Sequence, residues 1–185
     1  QRTEETVTRH MDEYRFDLAA QALYDFIWNQ YCDWYLELIK PLLAGMDDAA
    51  KHETRMVCGY VLDETLKLLH PFMPFLTEEL WQRTGETGAP RAGMLIVADW
   101  PALDGLVDEA AQSKMDWVIR FITDVRSVRA EMNVPAGAKI PLLISGANET
   151  SLARLERHKD IITRLARLES AEVLDGPAPK GSVQI

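Results

Sequence analysis

The chain has 185 residues, of which 47% are hydrophobic and 26% charged, with a formal net charge of -9. That is enough apolar material for one domain, or one domain with a small appendage. No apolar run approaches the ~20 residues of a membrane span, and the polar start Gln1-Arg2-Thr3-Glu4-Glu5 holds no hydrophobic signal core. The acidic excess argues against DNA or another polyanion as a partner of the whole surface, but it is uneven: residues 1–111 carry 20 acidic and 9 basic side chains, and residues 112–170 carry 7 and 10.

In chain order, the first 14 residues read as the end of a longer helix, with Val7 and Met11 at helical spacing. From Asp17 as N-cap to Lys40 runs the strongest helical pattern. Phe16, Ala20, Leu23, Ile27, Tyr31, Trp34, Leu38 and Leu42 form one stripe, and Tyr24, Trp28, Cys32, Tyr35 and Ile39 a second beside it. Pro41 and Gly45 are expected to end it. A third helix is expected over 48–69. His70 and Pro71 then break the chain, and a short helix restarts at Pro74, carries Leu76, Leu80 and Trp81 on one side, and closes near Thr84 and Gly85.

Residues 85–107, rich in Gly and Pro, read as a long irregular connection that is functional or packed over the bundle. A last bundle helix follows from about Asp108 to Met132, with Met115, Val118, Ile122 and Val125 in line. Beyond Pro135 the pattern changes to a strand at Lys139–Ser145, a basic helix or helix pair at Glu149–Leu168 and a strand at Ala171–Leu174. Residues 176–181 resemble a linker, and Val183–Ile185 could pair as a further strand. The expected fold is mainly α: a helical bundle over 1–135 and a small α/β appendage over 136–185.

Residues with the spacing of a chemical site are missing. His10, His52, His70 and His158 are scattered without a second ligand at metal spacing, and neither Cys32 nor Cys58 has a histidine beside it. The two cysteines fit small buried side chains in a reducing, cytoplasmic setting. Carboxylate neighbours such as Asp63-Glu64 and Glu78-Glu79 point in different directions on their helices. No metal or cofactor is expected in these residues.

Three blocks carry a resemblance: RFDLAAQALYDFIWNQYCDWYLE at 15–37, LHPFMPFLTEELW at 69–81 and IRFITDVRSVRAEMNVPAG at 119–137. They resemble the anticodon-binding helical domain of class I aminoacyl-tRNA synthetases, and their wording is similar to the valyl branch. The resemblance implies a bundle that holds the anticodon arm of a tRNA with a valine-type anticodon, beside a catalytic domain of the same polypeptide. That parent would be an ATP-dependent ligase. The His-x-Gly-His and Lys-Met-Ser-Lys-Ser motifs of activation do not occur in these residues, so this stretch is expected to be inactive alone and to hold neither the catalytic nor the editing site.

Candidate tRNA contacts are Arg2, Arg9, Arg15 and Arg120. Arg126 and Arg129 are either a helix-end clamp that bonds carbonyls or Glu131, or further tRNA contacts. Trp28, Trp34, Tyr35, Leu76 and Trp81 are expected in the core rather than as stacking platforms for bases. Two other readings stay open: the isoleucyl, leucyl or methionyl counterpart, and a helical protein-interaction module that binds no RNA.

Overall fold

A computed structural model describes residues 1–174 together with Gly176, Pro179 and Ser182. Its contacts divide the chain into two compact units, Gln1–Val107 and Asp108–Ile185, whereas a boundary after residue 135 would place the long helix that begins at Glu109 with the bundle.

In the first unit, α1 (Arg2–Asp12) turns through Glu13, Tyr14 and Arg15 into α2 (Phe16–Asp25). Tyr14 takes φ +57°, a left-handed conformation uncommon outside glycine, which lets the chain reverse in three residues. The apolar faces so brought together form a buried cluster of Val7, Ala19, Leu23 and Leu68, against which Met11, Ala22, Leu69 and Phe72 pack.

Helix α2 passes without a break into a π-helical segment, Phe26–Tyr35, and then into α3 (Leu36–Ala44). The π segment carries the bond from the Leu36 amide to the Tyr31 carbonyl, five residues back. Each of its turns takes in an extra residue, so side chains beyond Asp25 drift off the stripes that α-helical spacing would give. Trp28, expected in the core, is accordingly 52% exposed, while Trp34 and Tyr35 are half-buried. Pro41, expected to help end the helix, lies inside α3, and Gly45 alone caps it. A proline forfeits one i→i−4 bond at a cost of about 3 kcal/mol, which does not stop a helix already propagating over several turns.

Helix α4 (Asp48–Leu69) matches its expected bounds and starts at Asp47, whose carboxylate accepts from the Ala49 and Ala50 amides at 3.0 and 3.1 Å. At the corner, α5 (Pro74–Thr87) begins with Pro74 in its first turn. Thr77 is buried there: its hydroxyl donates to the Met73 carbonyl at 2.9 Å and meets His70 Nδ1 at 2.8 Å. The inward face of α5 therefore runs through Thr77, Trp81 and Thr84, one position away from Leu76. Leu76, expected in the core, is 51% exposed, and Trp81 is half-buried.

The connection over 88–107 contains one short 3₁₀ turn, Leu95–Val97, and is held to the helices along its length. Arg91 lies over the Trp81 ring at 3.8 Å and makes a two-pronged ion pair with Asp63 of α4, both contacts 2.6 Å. It also donates to the Trp81 carbonyl at 2.9 Å and the Thr84 hydroxyl at 2.6 Å. A Cβ on Gly85 would come within 2.5 Å of Arg91 Cγ, so glycine makes the approach possible. Further on, the Leu95 amide donates to the Glu78 carboxylate at 2.9 Å and Trp100 Nε1 to the Thr8 hydroxyl at 2.9 Å. Finally the Leu106 amide donates to the Gln1 side chain at 3.1 Å.

The second unit begins with α6 (Glu109–Glu131), capped by Asp108, and continues as β1 (Ile140–Ser145), α7 (Glu149–Leu165) and β2 (Leu168–Leu174). The strands pair in parallel, from Ile140 with Leu168 to Ser145 with Leu174, so α7 is the crossover that a parallel pair requires. The basic stretch is thus one helix, and its strand starts three residues before Ala171, because Arg167 at φ +53° turns the chain and Leu168 is buried. Val118, Ile122 and Val125 are buried on α6, and Leu155, Ile162 and Leu165 on α7. The expected strand at Val183–Ile185 and most of the expected linker lie outside the described residues. Among the described residues no helix is long and apolar enough to cross a membrane.

Arg91→Ala removes an ion pair whose side chains are 14% and 26% exposed, together with three other contacts. Urea denaturation of this variant is expected to show a loss of about 2–3 kcal/mol. Arg91→Lys should recover less than half of it, because a lysine cannot form the planar fork. An unchanged midpoint in both variants would contradict the clamp.

Candidate nucleic-acid interface

The turn between α1 and α2 collects cationic and aromatic side chains at the surface. Tyr14, 80% exposed, meets Phe16 edge-to-face at 6.2 Å. Between them Arg15 grips Asp17 with two hydrogen bonds of 3.1 Å. That hydrogen bonding, with the charge attraction behind it, pushes the Arg15 guanidinium up and holds the Asp17 carboxyl below the usual range. Arg9, in the last turn of α1, stands 3.9 Å from Glu13. Arg2 is exposed at the other end of α1, about 10 Å along the axis from Arg9. The structure therefore brings Arg9 and Arg15 to one end of the hairpin and leaves Arg2 apart.

Deeper in the same unit, Tyr31 and Tyr35 stack at 5.6 Å, and the Tyr31 hydroxyl meets Cys58 Sγ at 3.2 Å. Burial, then the Cys58 contact, push the Tyr31 phenol up, so it stays protonated. Both cysteines are free and half-buried.

In the second unit, the three candidate arginines of α6 have separate environments. Arg126 Nε donates to the Leu165 carbonyl at 2.9 Å, a group of the last turn of α7 that the helix cannot satisfy itself. Arg129, 7% exposed, donates to the carbonyls of Ala138 at 2.7 Å and Arg167 at 3.2 Å, and reaches that of Pro135 at 3.5 Å. Arg120 is exposed instead, and lines a recess of about 300 Å³ together with Glu109, Gln112, Asp116, Trp117 and Arg154. Trp117 stacks on Phe121 at 5.2 Å and 20°, and the Arg154 guanidinium stands 5.9 Å from the Trp117 ring. A second groove of about 600 Å³ runs past Lys139, Lys159, Arg164 and Arg167, interleaved with Asp160, Glu169 and Glu172.

The sequence model of the family described as the anticodon-binding domain of tRNA ligase matches residues 1–144. The chain belongs to this family. The match takes in all of unit one and α6, and ends inside β1. The chain is 52% identical over 184 residues to a valine–tRNA ligase of Rhizobium meliloti (strain 1021), covering 100% of the chain and 19% of that protein. It is 50% identical over 180 residues to that of Caulobacter vibrioides, covering 97% and 20%. Against the Agrobacterium fabrum (strain C58) protein it is 49% identical over 184 residues, covering 99% and 19%. This anticodon-binding domain thus spans about a fifth of the length of these relatives.

Two groups of this anticodon-binding domain escaped the sequence pattern. Arg91 sits in a Gly- and Pro-rich stretch that has no periodicity, and only its being the lone cation between Arg83 and Lys114 sets it apart. Trp117 and Phe121 do carry a signal, two aromatic residues at i and i+4 with Arg120 between them, but Arg154 joins them from another helix.

Removing the Arg129 side chain strands carbonyls in a buried setting, each costing about 1–3 kcal/mol when unmet. Arg129→Ala is expected to lower stability by about 2–4 kcal/mol in thermal or urea unfolding, and the more exposed Arg126→Ala by about half as much. Equal, negligible losses would show that the carbonyl bonds hold nothing together.

Proposed function

We propose that the chain is the part of a valine–tRNA ligase that holds and reads the anticodon arm of a tRNA with a valine-type anticodon. What carries this reading is the family match over residues 1–144 combined with identities near 50% to valine–tRNA ligases along the whole chain. On this reading the parent enzyme joins valine to its tRNA with ATP, in the cytoplasm. Its catalytic domain lies outside these residues.

The role of the domain is recognition at a distance. Anticodon bases are unstacked, and single-stranded RNA is read by stacking them on aromatic or guanidinium faces and bonding their edges. Tyr14 and Phe16, with Arg9 and Arg15 beside them, offer such faces at the α1–α2 turn. Arg2 is proposed as a phosphate contact, and Arg120 as a tRNA contact in the second unit. Binding energy gathered here serves to place the acceptor end at the remote site.

The charge of -9 limits the phosphate attraction. A valine-type anticodon hairpin, its anticodon ending in A-C, is expected to bind at low salt with Kd of about 10–100 µM. Its log–log salt slope should be about -2 to -4, the release of a few counterions. Changing the central A should weaken binding about tenfold, the size of one lost stacking or edge contact. Equal affinities for the two hairpins would show that the domain attracts RNA without reading the anticodon.

A further inference from the structure

The recess on α6 and α7 has the composition of a base site rather than of a phosphate site. It pairs two cations, Arg120 and Arg154, with two carboxylates, Glu109 and Asp116, and adds the amide of Gln112. A bare phosphate would meet repulsion from the carboxylates. Among the described residues, Arg120 and Arg154 take part in no hydrogen bond or salt bridge. A nucleobase edge carries amino donors and carbonyl or ring-nitrogen acceptors side by side, which is what such a mixed wall can satisfy.

The aromatic floor points the same way. Within this chain, a closed guanidinium–indole contact measures 3.8 Å, between Arg91 and Trp81. Arg154 stands 5.9 Å from Trp117, an open stack with a gap of about 2 Å beyond contact distance. A planar ring between the two needs about 7 Å, two layers of van der Waals contact, so a shift of about 1 Å by the flexible Arg154 side chain admits one. Trp117 already stacks on Phe121 at 5.2 Å, which fixes the indole plane that the incoming ring would meet. The volume of about 300 Å³ lies at the small end of ligand sites, and suits one base with its sugar.

We propose that this recess binds a single unstacked RNA base, laid between Trp117 and Arg154, with Asp116 and Gln112 bonding its amino group and Arg120 its acceptor atoms. The proposal rests on the chain being a tRNA-binding domain, and adds a base contact separate from the α1–α2 turn.

The test is equilibrium binding of a full-length valine-type tRNA transcript to the 185-residue chain at low salt, with circular dichroism melts of every variant. Trp117→Ala should weaken binding about tenfold, the worth of one base–aromatic stack, and Trp117→Phe should stay within about threefold because a ring is kept. Arg154→Gln, a surface change that leaves the core intact, should weaken binding about fivefold, and it decides the matter if Trp117→Ala does not fold. If the unaltered chain binds and discriminates the anticodon while Trp117→Ala and Arg154→Gln bind within twofold of it, the base site is wrong and the anticodon reading stands. If the unaltered chain does not bind tRNA at all, both fall.

Discussion

One guanidinium organises the amino-terminal unit. Arg91 comes from a stretch with hardly any regular structure, yet it bonds a carboxylate on α4, a carbonyl and a hydroxyl on α5, and covers the Trp81 ring. A stretch of about twenty residues without periodicity would ordinarily be mobile. Here it is a strap. From the Arg91 clamp it passes Glu78 on α5, then Thr8 on α1, and ends at Gln1. The α1–α2 hairpin, whose turn presents Tyr14 and Phe16, is therefore fixed on one side by the apolar cluster around Leu23 and Leu68 and on the other by this strap. On the proposed function this surface stacks bases, and such rigidity serves it, because any ordering left to binding is subtracted from affinity.

The second unit uses arginine differently. Arg129 is buried against carbonyls of the segment between α6 and β1 and of the turn into β2. Carbonyls left over where helices and strands end are the partners a planar five-donor group can serve together. Arg126 does the same for Leu165. These two side chains tie α6 to the β–α–β element, and the face of α6 that bears Arg120 and Trp117 is left for other work.

Much of the architecture was legible in the sequence because apolar periodicity and capping residues coincide. Helix α4 is capped by Asp47 and ends before Pro71, and α6 is capped by Asp108, where the carboxylate cap and the buried stripe Val118, Ile122 and Val125 agree. The family was legible from the three blocks, the double-proline corner above all, where Pro74 and Thr77 set the start of α5. What failed to show was phase. A π-helical segment has no compositional mark, so α-helical spacing puts Trp28 on a stripe that the extra residue per turn rotates toward solvent. Leu76 lies one position off the inward face of α5, because a buried threonine, Thr77, and not a leucine, faces inward. The sites were the least legible part. Trp117 and Arg154, which face each other across the recess, are 37 residues apart in sequence, and exposed arginines such as Arg9 and Arg15 look alike until their partners are seen.

On the proposed function, recognition of the anticodon arm resides in these 185 residues. Hydroxyl-radical footprinting of the isolated chain on an intact valine-type tRNA tests it directly, because the radical reports backbone burial nucleotide by nucleotide without presupposing a contact. Protection is expected over the anticodon loop and the adjoining stem backbone, with the acceptor stem cleaved as in free RNA. Protection confined to the acceptor stem, or spread evenly along the molecule at protein concentrations that saturate binding, would contradict the account.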